Sequence, residues 1–356
     1  MNERAAIWLA AAAAVEAHRP CAFATVARKR GSLPMASDAK MLVTADGGRF
    51  GTVGGGCTEA EVTAQALATL ETQQPAFATH TLNADAVGDL ALSCGGTVEL
   101  FLEPLLPSGD LARLCRAVGE AISHRQPATV WTALEWPDGP SKAAAIGSDR
   151  LIVGAGMRLL PPSREVPRGE EQAAPARRAR RQTTAFVDRA AGAFVEPLLR
   201  APRLTIFGAG HVGAALCDLA ARAGFYVVVV DDRCEFANRE RLPLAHEIVV
   251  QDFRTALDRL AFDEDDYVIA ATRGHSFDAY IVERTAASRA GYVGMLGSRR
   301  KRAVIFRALA AAGVPQEALA RVRSPIGVDI GADTPAEIAV SVVAELIRVR
   351  RLGQES

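Results

Sequence analysis

The chain has 356 residues, enough for roughly two domains of ~150 residues that each bury a core of their own. Its 41 Lys and Arg are balanced by 41 Asp and Glu, so it lacks the basic surplus expected of a general nucleic-acid or membrane-surface binder. The six cysteines, Cys21, Cys57, Cys94, Cys115, Cys217 and Cys234, include no CxxC pair, which excludes a disulfide framework or structural zinc site and suits a reducing cytosol.

The apolar run Ala5 to Val15 is preceded by a single cation, Arg4, and ends in Glu16-Ala17-His18-Arg19-Pro20. It reads as an Ala-rich first helix stopped by Pro20 rather than a signal-peptide core. No stretch approaches the ~20 apolar residues of a membrane span, and a cytoplasmic location without membrane attachment is expected. Strands are predicted at Cys21 to Val26 and Lys40 to Val43, the second followed by the hairpin signal Asp46-Gly47-Gly48. The glycine-rich segment Gly51 to Cys57 leads into a helix over Thr58 to Leu70, whose first turn carries Glu59 and Glu61, where the helix dipole favours acids. Ser93-Cys94-Gly95-Gly96 precedes a strand over Thr97 to Pro104. Asp110 to His124 reads as a helix, and Thr129 to Trp136 and Arg150 to Val153 as strands.

These elements predict a smaller N-terminal α+β domain over residues 1–160, without an internal repeat. Residues 161–200 read as a linker, from Pro161-Pro162, Pro167, Pro175 and the run Arg177-Arg178-Ala179-Arg180-Arg181. That run is either a solvated charge run or a docking patch.

Residues 201–356 alternate strand and helix, the pattern of a Rossmann-like, doubly wound parallel sheet. Strands are expected at Leu204 to Phe207, Phe225 to Val230, Glu247 to Val250, Tyr267 to Ala270 and Tyr292 to Leu296. Helices are expected from Gly210 to Ala223, Ala279 to Arg289 and Arg302 to Ala312. The turn after the first strand, Gly208-Ala209-Gly210-His211-Val212-Gly213, has the GxGxxG spacing of a dinucleotide-binding loop, and Asp231 ends the next strand. Asp231 is a candidate acceptor for ribose hydroxyls, although the glycines would serve helix–sheet packing equally without a ligand.

In this architecture ligands sit beyond the carboxyl ends of the strands, between the first and the fourth. His211 follows the first strand, Arg273 and His275 the fourth, and Ser298 and Arg299 the fifth. Each histidine alone has a structural reading; their joint placement at strand ends favours an anionic ligand. Further on, Thr334, Pro335 and Glu337 read as N-cap, first helical residue and capping-box partner of a last helix, leaving Gly327 and Gly331 unaccounted for.

In the first half, Cys57 and Cys94 lie in glycine-rich turns open to a ligand, and Cys57 also precedes a helix, which favours the thiolate. Soft thiolates suit molybdenum–sulfur or persulfide chemistry. Cys21, Cys115 and Cys217 fall at apolar positions and read as core. No compact acid/base set accompanies them. An oxidoreductase using NAD(P), with His211 or His275 as acid/base, is the alternative that the glycine turn leaves open.

The chain resembles the XdhC/CoxI family, accessory proteins that mature molybdenum hydroxylases. In the first half the resemblance is carried by Gly31-Ser32-Leu33-Pro34, Lys40-Met41-Leu42-Val43, Gly51 to Cys57 with Glu59-Ala60, and Cys94-Gly95-Gly96 with Phe101-Leu102-Glu103-Pro104. In the second half it is carried by Phe207 to Gly213, Thr272 to His275, Gly297 to Arg300 and Ser324 to Ala332. It implies transient binding of the molybdenum cofactor (molybdopterin), support for exchange of an oxo for a sulfido ligand, and delivery to an apo molybdenum hydroxylase. The implied partners are an enzyme of xanthine dehydrogenase, aldehyde oxidoreductase or carbon monoxide dehydrogenase type and a cysteine desulfurase, and pairing of two copies in a homodimer is left open. After Pro34 the family carries an Arg and then a Gly, where this chain has Met35 and Asp38.

Overall fold

The computed structural model describes residues 3–31, 33, 35–55, 57–82, 96–134, 142–146, 150–153, 184–189 and 192–353. The chain divides into two compact units, Met1–Arg200 and Ala201–Ser356. The first unit is therefore the longer one, and the expected linker over 161–200 is corrected at its end. Phe186–Asp188 and Ala193–Leu198 are strands of the first unit, the second buried along its whole length. The Pro/Arg-rich part, 161–183, lies outside the described residues.

The first unit begins with α1 (Glu3–Glu16), β1 (Cys21–Gly31), β2 (Lys40–Thr44), β3 (Arg49–Thr52), α2 (Cys57–Thr72), β4 (Ala76–Leu82) and β5 (Gly96–Leu105). It continues with α3 (Gly109–Ser123), β6 (Ala128–Ala133), β7 (Lys142–Ile146), β8 (Arg150–Val153), β9 (Phe186–Asp188) and β10 (Ala193–Leu198). Two five-stranded antiparallel sheets result, ordered β3-β2-β1-β5-β4 and β8-β7-β6-β10-β9. The second order repeats the first, and each sheet is preceded by a helix.

An internal repeat thus exists where the sequence pattern predicts none. Its clearest trace is Phe101-Leu102-Glu103-Pro104-Leu105 on β5 against Phe194-Val195-Glu196-Pro197-Leu198 on β10. The registers agree: Cys21 faces Leu105 and Thr25 faces Phe101, as Ala128 faces Leu198 and Thr132 faces Phe194. Thr25 also faces Lys40, as Thr132 faces Lys142. The turns after α1 and α3 match down to one left-handed residue each, His18 (φ 55°) and Arg125 (φ 57°). Both turns are closed by the same kind of amide bond, Arg19 N to Ala14 O at 2.9 Å and Gln126 N to Ala121 O at 2.7 Å.

Why the two halves stay together follows from their inner faces. Trp8, Val15, Phe23 and Leu42 of the first half share one apolar cluster with Leu114, Val118, Val130 and Ile146 of the second. The repeat-related rings of Phe101 and Phe194 pack against each other at a tilt of 32°, with centroids 4.4 Å apart. Beside them the ionic residues are exchanged between halves. Lys142 donates to Glu103 Oε1 (2.7 Å), Glu103 Oε2 (2.9 Å) and Thr132 Oγ1 (2.6 Å). Lys40 donates to Thr25 Oγ1 (2.6 Å), pairs with Glu196 at 3.0 Å and lies 4.1 Å above the Phe23 ring. Each lysine takes the threonine of its own half and the glutamate of the other. All four charged side chains are buried, so the pairs hold two sheets in one relative position at a large desolvation cost. Burial pushes the Lys40 ammonium down, and Glu196 and then Glu103 oppose it.

The second unit contains β11 (Arg203–Phe207), α4 (His211–Arg222), β12 (Tyr226–Asp231), β13 (Glu247–Val250), α5 (Phe253–Arg259), β14 (Asp266–Ala270) and α6 (His275–Ala286). It ends with β15 (Tyr292–Met295), α7 (Arg299–Ala311), α8 (Gln316–Ala320), β16 (Val322–Arg323) and α9 (Pro335–Leu352). Its six-stranded parallel sheet has the order β13-β12-β11-β14-β15-β16, that of a Rossmann fold. Because both faces are covered, β12 is apolar at successive positions. Val227 and Val229 pack with α4 and α9, and Val228 and Val230 pack with α5, α6 and α7. α6 and α7 start several residues before their expected positions, so that His275 and Arg299 are first helical residues rather than loop residues. Among the described residues, no helix is long and apolar enough to cross a membrane.

Candidate functional site

β11 is flanked by β12 and β14, and the glycine turn that follows it is wedged between their ends. Gly208 N donates to Val230 O (2.8 Å), and Ala271 N donates to Phe207 O (2.9 Å). Gly208 has φ 117°, and a Cβ there would stand 2.3 Å from Ala271 O. A Cβ on Gly213 would stand 1.9 Å from Gly208 O, so this glycine lets α4 close on β11. Gly210 differs. A Cβ there would meet nothing within 4 Å, and its φ of −64° suits any residue. Packing accounts for Gly208 and Gly213; Gly210 leaves open space in front of the α4 N-terminus.

His211 and His275 are the first residues of α4 and α6, and both side chains are exposed. Each helix follows a glycine N-cap that supplies no side-chain bond, Gly210 and Gly274, so no cap side chain takes the first-turn amides. Ser298 instead caps α7, accepting from Lys301 N at 3.2 Å, and Arg299 opens that helix from an exposed position. Arg273 is bound bidentately to Asp232, with both N–O distances 2.8 Å.

Asp231, the candidate acceptor for ribose hydroxyls, already has partners of its own in this structure. Its side chain is buried at the end of β12 and its oxygens already take four donors. Ala209 N (2.8 Å) and Arg233 Nη2 (3.0 Å) reach Oδ2, and Arg233 N (3.1 Å) and Nε (2.9 Å) reach Oδ1. A carboxylate offers about four lone-pair positions, so none is left for a ribose. Arg233 in turn lies 3.9 Å above the Phe236 ring. Asp231 is thus a structural tie between the glycine turn and the loop after β12.

Burial raises the Asp231 pKa, but the bonds from Arg233 and the Ala209 amide outweigh it and hold the carboxyl below its ordinary range. Because the folded value lies below the unfolded one of about 3.9, this contribution is complete above pH ~4 and disappears as pH falls through the folded value. Hydrogen exchange of the Val227–Val230 amides, taken relative to the intrinsic exchange rate at each pH, should therefore accelerate in acid. Asp231→Asn should accelerate it at neutral pH and flatten the acid dependence; an unchanged acid profile would remove Asp231 from this account.

Two residues that the sequence did not single out help shape the site. Asp278, fully buried in the first turn of α6, accepts from Thr272 N (3.0 Å) and Thr272 Oγ1 (2.7 Å) and pairs with Lys301. Lys301 also donates to Leu296 O at 2.9 Å. The loops after β14 and β15 are thereby tied together, and Lys301 is a strut rather than a free cation. An acid in a first helical turn and a lysine in a strand-end loop were visible in the sequence, but their pairing was not.

The capping box of Thr334 and Glu337 forms as expected. Gly327 also has a packing explanation: its N–H donates to buried Glu345 (2.9 Å), which accepts from Tyr292 (2.6 Å).

In the first unit, Cys57 is the first residue of α2, and Cys94 lies outside the described residues. Among the described residues no group of three or more His, Cys, Asp or Glu is placed to hold a metal. Burial pushes the thiols of Cys21, Cys115 and Cys217 up to about 12, as befits core residues. Near the glycine-rich segment before α2, Lys29 donates to Leu33 O (2.9 Å) and Met35 O (2.7 Å), while Asp38 pairs with Arg4 of α1.

These features define a two-unit α/β protein whose second unit is a Rossmann fold with free space before the α4 N-terminus. The XdhC Rossmann domain profile matches residues 204–346, and the XdhC and CoxI family profile matches residues 14–82. The chain belongs to the XdhC/CoxI family. It is 28% identical to the protein YqeB of Escherichia coli (strain K12) over 97% of its own length, and it spans about half of that relative, 46%. It is 26% identical to a Bacillus subtilis (strain 168) protein named as a probable xanthine dehydrogenase subunit, covering 95% of this chain and 96% of that one. Among solved structures it is similar to a xanthine dehydrogenase from Bacillus halodurans, with TM-score 0.76 and 25% identity over 100% of this chain and 97% of the other.

Proposed function

We propose that this protein is an accessory factor in the maturation of a molybdenum hydroxylase of xanthine dehydrogenase type. Its cargo is the molybdenum cofactor, which it holds during sulfuration and passes to the apoenzyme. Within the second unit, the strand ends of the Rossmann fold are the place for a phosphate; within the first, Cys57 and Cys94 are the candidate contacts for molybdenum or its sulfur. Family membership across both units and the xanthine dehydrogenase names of two relatives support the accessory role.

One observation carries the reading of the crevice. It combines open space at Gly210 and two exposed histidines with an Asp231 whose acceptor positions are filled. A phosphate finds backbone amides and imidazole rings there, whereas the adenosine ribose of NAD meets an Asp231 carboxylate that is already bound. That counts against a dehydrogenase using NAD(P) in the usual way.

The test is to purify the protein from cells that make the cofactor and to measure molybdenum and pterin per chain. Near-stoichiometric amounts are expected, falling several-fold in Cys57→Ser and Cys94→Ser. Amounts no higher than on an unrelated Rossmann protein would overturn the proposal. Retention unchanged in both variants would remove the cysteines from it.

A further inference from the structure

The Arg273–Asp232 pair occupies a particular place in the second unit. Asp232 follows the last residue of β12, and Arg273 lies in the loop after β14. The strand between them is β11, whose end carries the glycine turn. The bidentate pair therefore spans from one neighbour of β11 to the other, across the carboxyl end where this fold admits a phosphate-bearing ligand. Both partners are accessible, with side-chain exposures of 44% for Arg273 and 27% for Asp232. This separates the pair from Asp231–Arg233 and Asp278–Lys301 on either side, whose carboxylates are buried and bind backbone amides.

We infer that Asp232 is a built-in substitute for the ligand's phosphate, which keeps Arg273 across the crevice until a phosphate or diphosphate group takes its place. The inference rests on the reading of the crevice as an anion-holding site and adds how that site is gated. A guanidinium fork matches a phosphate as well as a carboxylate, so Arg273 exchanges one bidentate partner for another. An accessible ion pair is weak, so opening it costs little, yet it excludes ligands without a strong anion to offer in return. Arg233 lies 3.9 Å from the Asp232 carboxylate, is bound to Asp231, and remains behind to receive Asp232 when Arg273 leaves.

The experiment is calorimetric titration of inorganic pyrophosphate into the full-length protein and three variants: Asp232→Asn, Arg273→Gln and the double variant. Asp232→Asn should tighten binding about fivefold, the equivalent of one accessible ion pair that no longer competes. Arg273→Gln should weaken it by at least that factor. The double variant should bind like Arg273→Gln alone, because the gain depends on Arg273. Unchanged or weaker binding by Asp232→Asn, or a gain that persists without Arg273, would overturn the gate while leaving the anion site standing. Absence of pyrophosphate binding in all four proteins would overturn the anion site and the gate together.

Discussion

Replacing Glu103 by leucine is expected to destabilise the N-terminal unit by about 3–5 kcal/mol, the usual cost of leaving a buried charge without its partner. Among the described residues, Lys142 would retain Thr132 Oγ1 as its direct hydrogen-bond partner. Adding Lys142→Met should recover most of the loss, because a packed apolar pair replaces a buried ion pair with little penalty. Adding Lys40→Met to Glu103→Leu should not, since Lys40 is bound to Thr25 and Glu196 and not to Glu103. The repeat predicts the same pattern for Glu196→Leu, rescued by Lys40→Met and not by Lys142→Met. Denaturation followed by tryptophan fluorescence reads this unit, since Trp8, Trp131 and Trp136 all lie in the first 200 residues. Equal rescue by either lysine substitution would show that the four charges act as one diffuse cluster and not as two exchanged pairs.

The glycine turn should separate folding from binding. Gly213→Ala and Gly208→Ala are each expected to destabilise the Rossmann unit by about 3 kcal/mol or more. Both force a Cβ against backbone, and the second adds the strain of positive φ. Gly210→Ala should cost only about 1 kcal/mol, the difference between glycine and alanine at an N-cap. It should nonetheless weaken pyrophosphate binding at least tenfold by filling the open space before α4. Hydrogen exchange of the β11 and β12 amides reads the first effect, and calorimetry the second. If Gly210→Ala were as destabilising as Gly213→Ala, the middle glycine would be a packing residue and the crevice would lose its main argument.

The Rossmann unit was legible because its determinants are local. Wholly apolar strands, the glycine spacing and the capping box of Thr334 and Glu337 each act within a few residues. The positions of His211, Arg273, His275, Ser298 and Arg299 at strand ends were readable for the same reason. Their present partners were not. Whether an arginine is free or bound, as Arg273 is to Asp232, depends on which strands become neighbours. Asp231 illustrates the limit: its position matched a ribose ligand, and its saturation by Ala209 and Arg233 appears only in three dimensions.

The first unit shows the same division more sharply. Alone, the sequence specified an Ala-rich helix and a run of short strands that includes Phe101 to Pro104, while its counterpart Phe194 to Leu198 fell within the expected linker. Divergence around those segments hides the duplication, because a sheet tolerates changes on its faces so long as register and burial survive. Only the tertiary structure placed Phe101 on Phe194 and exchanged Lys40 and Lys142 between halves. Charge pairing across two sheets depends on residues far apart in the chain, and no local pattern encodes it.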